Sequence, residues 1–340
     1  MSGRIVCFGE LLLRLSAPGR ELLLQSPALD VRMGGAEANV AVSMARFRHQ
    51  AAMVSVVAAN ALGEAVVGEL RRHNVSTAAV QAIDGRMGLY FLTTGAVQRP
   101  SAVLYDRAGS AFAAAGGGQH DWPALLEGAD VFHVSGVTPA LGAASAQATL
   151  EAMRAARAAG VTVSFDGNFR PALWEAWRGD APGLLRGIMA EADVMFASHR
   201  DIEVVLDTTF AQGSPQERFA AASAAAFEAF PNLRRMAATV RVQRSVDHHA
   251  LSAMTALRGV DGLLLTPSYE VVGIVDRIGT GDAFAAGVLH GVLSGMTDAD
   301  GLHFGLAAAC LKHSIPGDFN LVGTSDVEAF LDESSFDVRR

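Results

Sequence analysis

Short apolar runs rich in β-branched or large residues alternate with longer alanine-rich stretches along most of this chain. The first kind covers residues 4–9, 52–57, 130–135, 161–166, 193–197 and 235–240, and the second 36–47, 61–73, 143–159, 182–191 and 215–230. The alanine-rich stretches carry helical spacing. This alternation predicts an α/β fold with three layers, α/β/α, around a mainly parallel central sheet. Strands covered on both faces need no polar side, which suits their unbroken apolar character. Beyond residue 275 the pattern predicts three helices, at 282–294, 298–314 and 325–331. With 340 residues, half of them hydrophobic and 18% charged, the chain can bury a large core, and it reads as one domain over 1–340.

Two stretches, about 11–33 and 86–107, have strand character without intervening helices. They are expected to leave the main sheet as a small β lid, residues 31–33 pairing antiparallel with 88–94. Open α/β sheets bind ligands beyond the carboxyl ends of their strands, and a lid there excludes water. An exposed lid sheet needs its edge covered, so a homodimer through the lid is expected.

Charge and rare residues exclude several functions. A net charge of −8 offers no basic face for nucleic acid. Cys7 and Cys310 cannot build a disulfide framework, which favours a cytoplasmic setting. The apolar stretch 5–15 is broken by Glu10 and Arg14 and is expected to be neither a signal peptide nor a membrane span. Lys312 is the only lysine, and His313 follows it, so no Gly-Lys-Ser/Thr phosphate loop exists. Phosphate would have to be met by backbone amides, arginines or metal. The histidines show no zinc spacing, and His248 and His249, adjacent on a strand, would face opposite ways.

Four segments carry candidate chemistry. In the first, a strand over 271–275 runs through Asp276-Arg277-Ile278-Gly279-Thr280-Gly281-Asp282 into a helix. Gly279 and Gly281 permit positive φ and close backbone approach. The helix start offers unpaired N–H groups and a positive dipole end, an anion site. Asp282 beside it could take a proton from a substrate hydroxyl, or merely cap the helix. In the second, Gly34 and Gly35 end a strand and open a helix bearing Asn39, allowing a ligand close to the backbone or making only a tight turn. In the third, Asp166, Asn168 and Arg170 alternate at a strand's carboxyl end, where an arginine can grip a carboxylate or phosphate. In the fourth, Tyr105 and Arg107 share a face of one lid strand, with Tyr90 on another.

Taken in order, Gly34-Gly35 with Asn39 early and Gly279-Thr280-Gly281-Asp282-Ala283-Phe284 late resemble the ribokinase-like (PfkB) carbohydrate kinases over essentially the whole chain. The resemblance implies an ATP- and Mg²⁺-dependent kinase with Asp282 as catalytic base and Gly279, Thr280 and Gly281 forming the anion hole. Within the family, residues 9–15, 34–39, 166–174 and 312–318 are most similar to 2-keto-3-deoxygluconate kinases. That similarity implies that Gly34, Tyr90, Tyr105, Arg107, Arg170 and Asp318 contact a sugar acid. Arg107 and Arg170 are then the natural partners of its carboxylate.

The chain departs from the family in two places. An Asn-x-x-Glu motif tied to magnesium and phosphate falls on Ser198-His199-Arg200-Asp201, leaving Asp201 as the metal-facing acid. A glycine-containing nucleotide loop is replaced by residues 239–245, which leaves Ser198, Thr239, Arg241 and Gly281 as nucleotide candidates. A kinase of the same fold acting on fructose, ribose or a nucleoside is the alternative, and a sugar-binding regulator without catalysis is the rival from another class.

Overall fold

The computed structural model describes residues 2–210 and 212–332. Its strands are β1 (Arg4–Phe8), β2 (Leu12–Ser16), β3 (Asp30–Gly34), β4 (Gln50–Ala58), β5 (Val75–Ile83), β6 (Gly88–Thr93), β7 (Ala102–Asp106), β8 (Val131–Ser135), β9 (Thr162–Asp166), β10 (Val194–Phe196), β11 (Arg235–Gln243), β12 (His248–Leu257), β13 (Leu264–Leu265) and β14 (Tyr269–Val272). Ten of them form one sheet in the order β13-β12-β11-β10-β9-β8-β1-β4-β5, with β14 also paired to β12. Every pair from β5 to β11 is parallel, and the edge beyond β11 is antiparallel. Such parallel strands must be joined by crossovers, and the alanine-rich segments supply them as helices Ala36–Arg46, Ala61–Arg72, Ala143–Ala158, Ala181–Met189 and Pro215–Ala229. The apolar strands fill the core, with Ile5, Phe8, Phe132 and Phe165 fully buried.

Helices Thr280–Ser294 and Asp298–Lys312 pack on each other through glycine. A Cβ on Gly287 would lie 2.5 Å from Gly305 Cα, so only hydrogen there lets the backbones meet. The first of the pair also packs on helix Ala36–Arg46, which brings the early and late glycine segments side by side.

The two excursions form a separate four-stranded sheet in the order β3-β2-β6-β7. The expected direct pairing of 31–33 with 88–94 is not what forms. β2 lies between them, antiparallel to β3 and parallel to β6. Its Leu12 and Leu13 are buried, whereas Asp30, Val31 and Arg32 of β3 are exposed, so the more apolar strand takes the interior place. The strand expected at 271–275 ends at Val272, and residues 273–279 turn toward the helix start without regular structure. Three strands escaped the sequence reading, β13 among them because it is only two residues long. β5 is an edge strand with alternating burial, and β12 is rich in alanine, so neither shows a continuous apolar run. On β12, His249 is buried and His248 half-buried, on opposite faces as expected. Among the described residues no helix is long and apolar enough to cross a membrane.

Candidate active site

Parallel strands point their carboxyl ends one way, and here those ends meet the underside of the small sheet. A cleft of about 370 Å³ opens between them. From the main sheet come Glu10 after β1, Asp166 ending β9, and Asn168 and Arg170 beyond it. From the small sheet come Tyr90, Tyr105 and Arg107, and helix starts supply Gly35, Glu37, Asn39 and Gly279 to Asp282, with Asp318 from a late loop.

Helix Thr280–Ser294 begins at Gly279, whose φ of +81° places it in the left-handed region and whose missing side chain cannot cap the helix. A Cβ there would lie 1.9 Å from Asp318 O. The amides of Thr280, Gly281 and Asp282 therefore begin the helix without a side-chain acceptor, as an anion site requires. Asp282 does not serve as a cap. Its Oδ2 accepts instead from Asn39 Nδ2 at 2.6 Å. Burial pushes the Asp282 carboxyl up to about 7, and the charges of Glu37 and Asp318 push the same way, while the Asn39 bond and Arg170 oppose them.

Asp318 anchors a buried polar cluster. Its Oδ2 accepts from the Tyr90 hydroxyl at 2.5 Å, and its Oδ1 from Arg14 Nη1 at 3.1 Å. Arg14 also pairs with Asp276 Oδ2 at 2.7 Å. Burial raises the pKa of Asp318. Gly34, read as a substrate contact, does not line this cleft. A Cβ on it would sit 2.1 Å from Asp318 Oδ2, so its hydrogen makes room for that carboxylate. Gly35 does line the cleft and opens helix Ala36–Arg46 with φ +147°.

The two arginines differ. Arg107 is buried, and its Nε donates to Glu10 Oε2 at 2.8 Å while Nη2 bonds the same oxygen. Glu10 is also held by the Ser110 hydroxyl. No hydrogen bond among the described residues engages Arg107 Nη1. The Arg107 guanidinium also lies 5.7 Å from the Tyr105 ring centre. Arg170 is exposed, and among the described residues it makes no ion pair and donates only to Phe169 O, at 3.1 Å. It lines both the cleft and an adjoining groove of about 510 Å³.

That groove holds Ser198, Asp201 and Thr239 together with Asp166, Asn168 and Gly281. Asp201, the expected metal acid, caps helix His199–Leu206: its Oδ2 accepts from Ser198 N and Ser198 Oγ, each at 2.7 Å. Among the described residues no group of three His, Cys, Asp or Glu side chains is placed to hold a metal ion. Asp166 has its pKa raised well above the ordinary carboxylate value by burial and by the charges of Asp282 and Asp201. Arg241 lies elsewhere, in a third groove of about 700 Å³, which it shares with Arg277. Neither arginine has an ion-pair partner among the described residues, and burial lowers the pKa of both.

Sequence reasoning missed Glu10, Glu37, Arg14 and Arg277. Glu37 is buried at the cleft wall, its Oε1 accepting from Ser135 N, Ser135 Oγ and Thr138 Oγ1 at 2.7–2.9 Å. The available signal for Glu10 and Arg14 was their presence in an otherwise apolar stretch, since a charge at a buried position must have a partner.

Comparison with known proteins decides the family. The model of the pfkB family carbohydrate kinases matches residues 2–320. The chain belongs to that family. Among relatives of this pfkB kinase, the 2-dehydro-3-deoxygalactonokinase of Haloferax volcanii is 34% identical, covering 97% of each chain. The 2-dehydro-3-deoxygluconokinase of Bacillus subtilis is 26% identical over 94% of this chain and 93% of its own. In structure, the 2-dehydro-3-deoxygluconokinase of Thermotoga maritima superimposes with a TM-score of 0.89 at 36% identity, covering 97% of this chain and 99% of its own. A pfkB carbohydrate kinase of Listeria grayi matches equally well, with a TM-score of 0.89 at 35% identity. The fold is thus ribokinase-like, and the chain is a sugar kinase.

Proposed function

We propose that this kinase transfers the γ-phosphoryl group of ATP to the primary hydroxyl of a 2-keto-3-deoxy sugar acid, 2-keto-3-deoxygluconate first among them. The observation that carries the sugar-acid reading is Arg170, which makes no ion pair among the described residues and lines the wall of a cleft otherwise rich in carboxylates. A substrate carboxylate can pair directly with that guanidinium, which a neutral sugar cannot do. Names of similar proteins, 2-dehydro-3-deoxygalactonokinase and 2-dehydro-3-deoxygluconokinase, support the same class.

In this reading Arg170 and Arg107 Nη1 receive the substrate carboxylate, while Tyr90, Tyr105 and Asp318 line the path of its hydroxyls. Asp282 accepts the proton of the attacking hydroxyl, held for that task by Asn39. The amides of Thr280 to Asp282 stabilise negative charge on the transferred group, the positioning and electrostatics on which phosphoryl transfer depends. The nucleotide lies along Gly281, Ser198 and Thr239, with Arg241 and Arg277 supplying positive charge from the neighbouring groove. Magnesium, when bound, neutralises phosphate charge. Asp166 and Asp201, which line the groove, would be the carboxylates nearest to the ion.

The small sheet acts as a lid in this reading, and two copies associate through it. Leu104 and Tyr105 on edge strand β7 and Val31 on edge strand β3 are exposed, 61%, 44% and 60% respectively. Sedimentation of Leu104→Asp is expected to show a monomer where the unaltered protein is a dimer; an unaltered monomer ends the dimer proposal.

The deciding experiment is ADP release with Mg·ATP against 2-keto-3-deoxygluconate, its galactonate epimer, gluconate, fructose, ribose and adenosine. Turnover on the keto-deoxy acids well above the others is expected. Preference for a neutral sugar would overturn the carboxylate roles and leave Asp282 as base.

A further inference from the structure

The chain's one lysine touches none of the three cavities. Lys312 ends helix Asp298–Lys312 and is fully buried. Its Nζ donates to Ile315 O at 3.0 Å, closing the turn that leads to Gly317 and Asp318. Charged groups face it from several elements. Asp276, Asp318 and Asp282 favour the ammonium, Arg14 opposes it, and Lys312 in turn disfavours a charge on His313. Tyr90 stays neutral beside them, its pKa raised by burial.

Charge balance gives the ammonium a task. Arg14 bridges Asp276 and Asp318, so one guanidinium faces two buried carboxylates. Lys312 adds a second buried positive charge on the side of those carboxylates, where an unbalanced buried charge is costly. The cluster also joins two interlocked segments, 273–279 and 313–318. Val275 N and Asp276 N both donate to His313 O, at 2.9 and 3.2 Å, and Gly317 N donates to Asp276 Oδ2 at 2.9 Å. The first segment ends at Gly279, the start of the anion-binding helix, and the second ends at Asp318.

We infer that Lys312 is a positioning residue for phosphoryl transfer: its buried ammonium holds the 312–315 turn closed, and that turn, bonded to 273–279 through His313 O and Gly317 N, sets the anion-hole amides and Asp318 relative to each other. The inference rests on the kinase reading for the purpose of those amides, and on geometry alone for the lock.

Hydrogen exchange tests the lock without turnover. In Lys312→Met, amides of 273–279 and 313–318 should exchange about tenfold faster while β8 and β9 keep their protection; unchanged exchange overturns the inference. Kinetics tests the purpose, on whichever sugar the unaltered enzyme accepts. Lys312→Met should lower kcat by about a hundredfold, the scale expected of a misplaced reacting group. Ammonium or methylammonium should restore much of the rate to Lys312→Ala. The unaltered enzyme should also lose activity as pH rises past about 8, where burial places the lysine pKa, and Lys312→Met should lack that limb. Unchanged kcat, or failure of amines to restore a folded Lys312→Ala, overturns the inference. If no sugar is phosphorylated, the kinase reading fails and exchange still decides the lock. If Lys312→Met does not fold, selective isotope labelling of lysine gives one side-chain resonance in the unaltered protein. Titration near pH 8 supports the buried ammonium, and titration at the ordinary 10.5 overturns it.

Discussion

Asn39 Nδ2 donates to Asp282 Oδ2 at 2.6 Å, a bond between side chains 243 positions apart. It ties the helix that follows the early glycine pair to the helix that follows the late one. The carboxylate is thereby turned toward the cleft and away from the free amides of its own helix. In the proposed reaction the base must be held within reach of the proton it takes, and Asn39 would do that holding.

Asp282→Asn keeps the shape and the helix start but removes the base. It is expected to lower kcat by about 10²–10⁴, the usual worth of general-base catalysis. ADP release measures it. A loss of less than about tenfold, some 1.4 kcal/mol of barrier, would remove Asp282 from the base role.

The acid limb of the rate profile should fall near pH 7, because burial raises the Asp282 carboxyl to about 7 and only its ionised form accepts a proton. Asn39→Ala deletes a bond that favours the ionised form, so its limb should move to higher pH. The same shift affects stability. The folded pKa lies above the ordinary 3.8, so the contribution of Asp282 to stability is present below about pH 4 and is lost as pH rises through 7. Asp282→Asn, neutral throughout, should therefore melt above the unaltered protein at pH 8, with the gap closing toward pH 4. A gap that is constant with pH contradicts the raised carboxyl.

Arg170→Ala should raise KM for keto-deoxy sugar acids by about 10–100-fold, the range of a charge-assisted hydrogen bond, with little effect on KM for a neutral sugar. Equal changes on both kinds of substrate would show that Arg170 does not read the carboxylate.

Gly34→Ala places a Cβ where Asp318 Oδ2 stands, 2.1 Å away. Asp318 must then move, breaking its bonds to Tyr90 and Arg14. A lower melting temperature and weaker sugar binding by calorimetry are expected together. Unchanged values of both would mean that the loop bearing Asp318 yields freely.

The α/β architecture and the glycine turn that opens helix Thr280–Ser294 were legible along the chain, because each depends on neighbours in sequence. Apolar runs declare buried parallel strands, and glycines before an acid declare a helix start open to anions. Pairings across long separations were not legible. The interior place of β2 depended on which strand of the small sheet is most apolar on both faces. That Arg107 arrives paired with Glu10, that Gly34 yields space to Asp318, and that Asn39 holds Asp282 all depend on distances between loops from different strands. Spacing along a chain reports which way a side chain points from its own backbone. Only the packed sheet and helices decide which opposite charge it meets, and burial, which sets the cost of leaving that charge alone, exists only once they have packed.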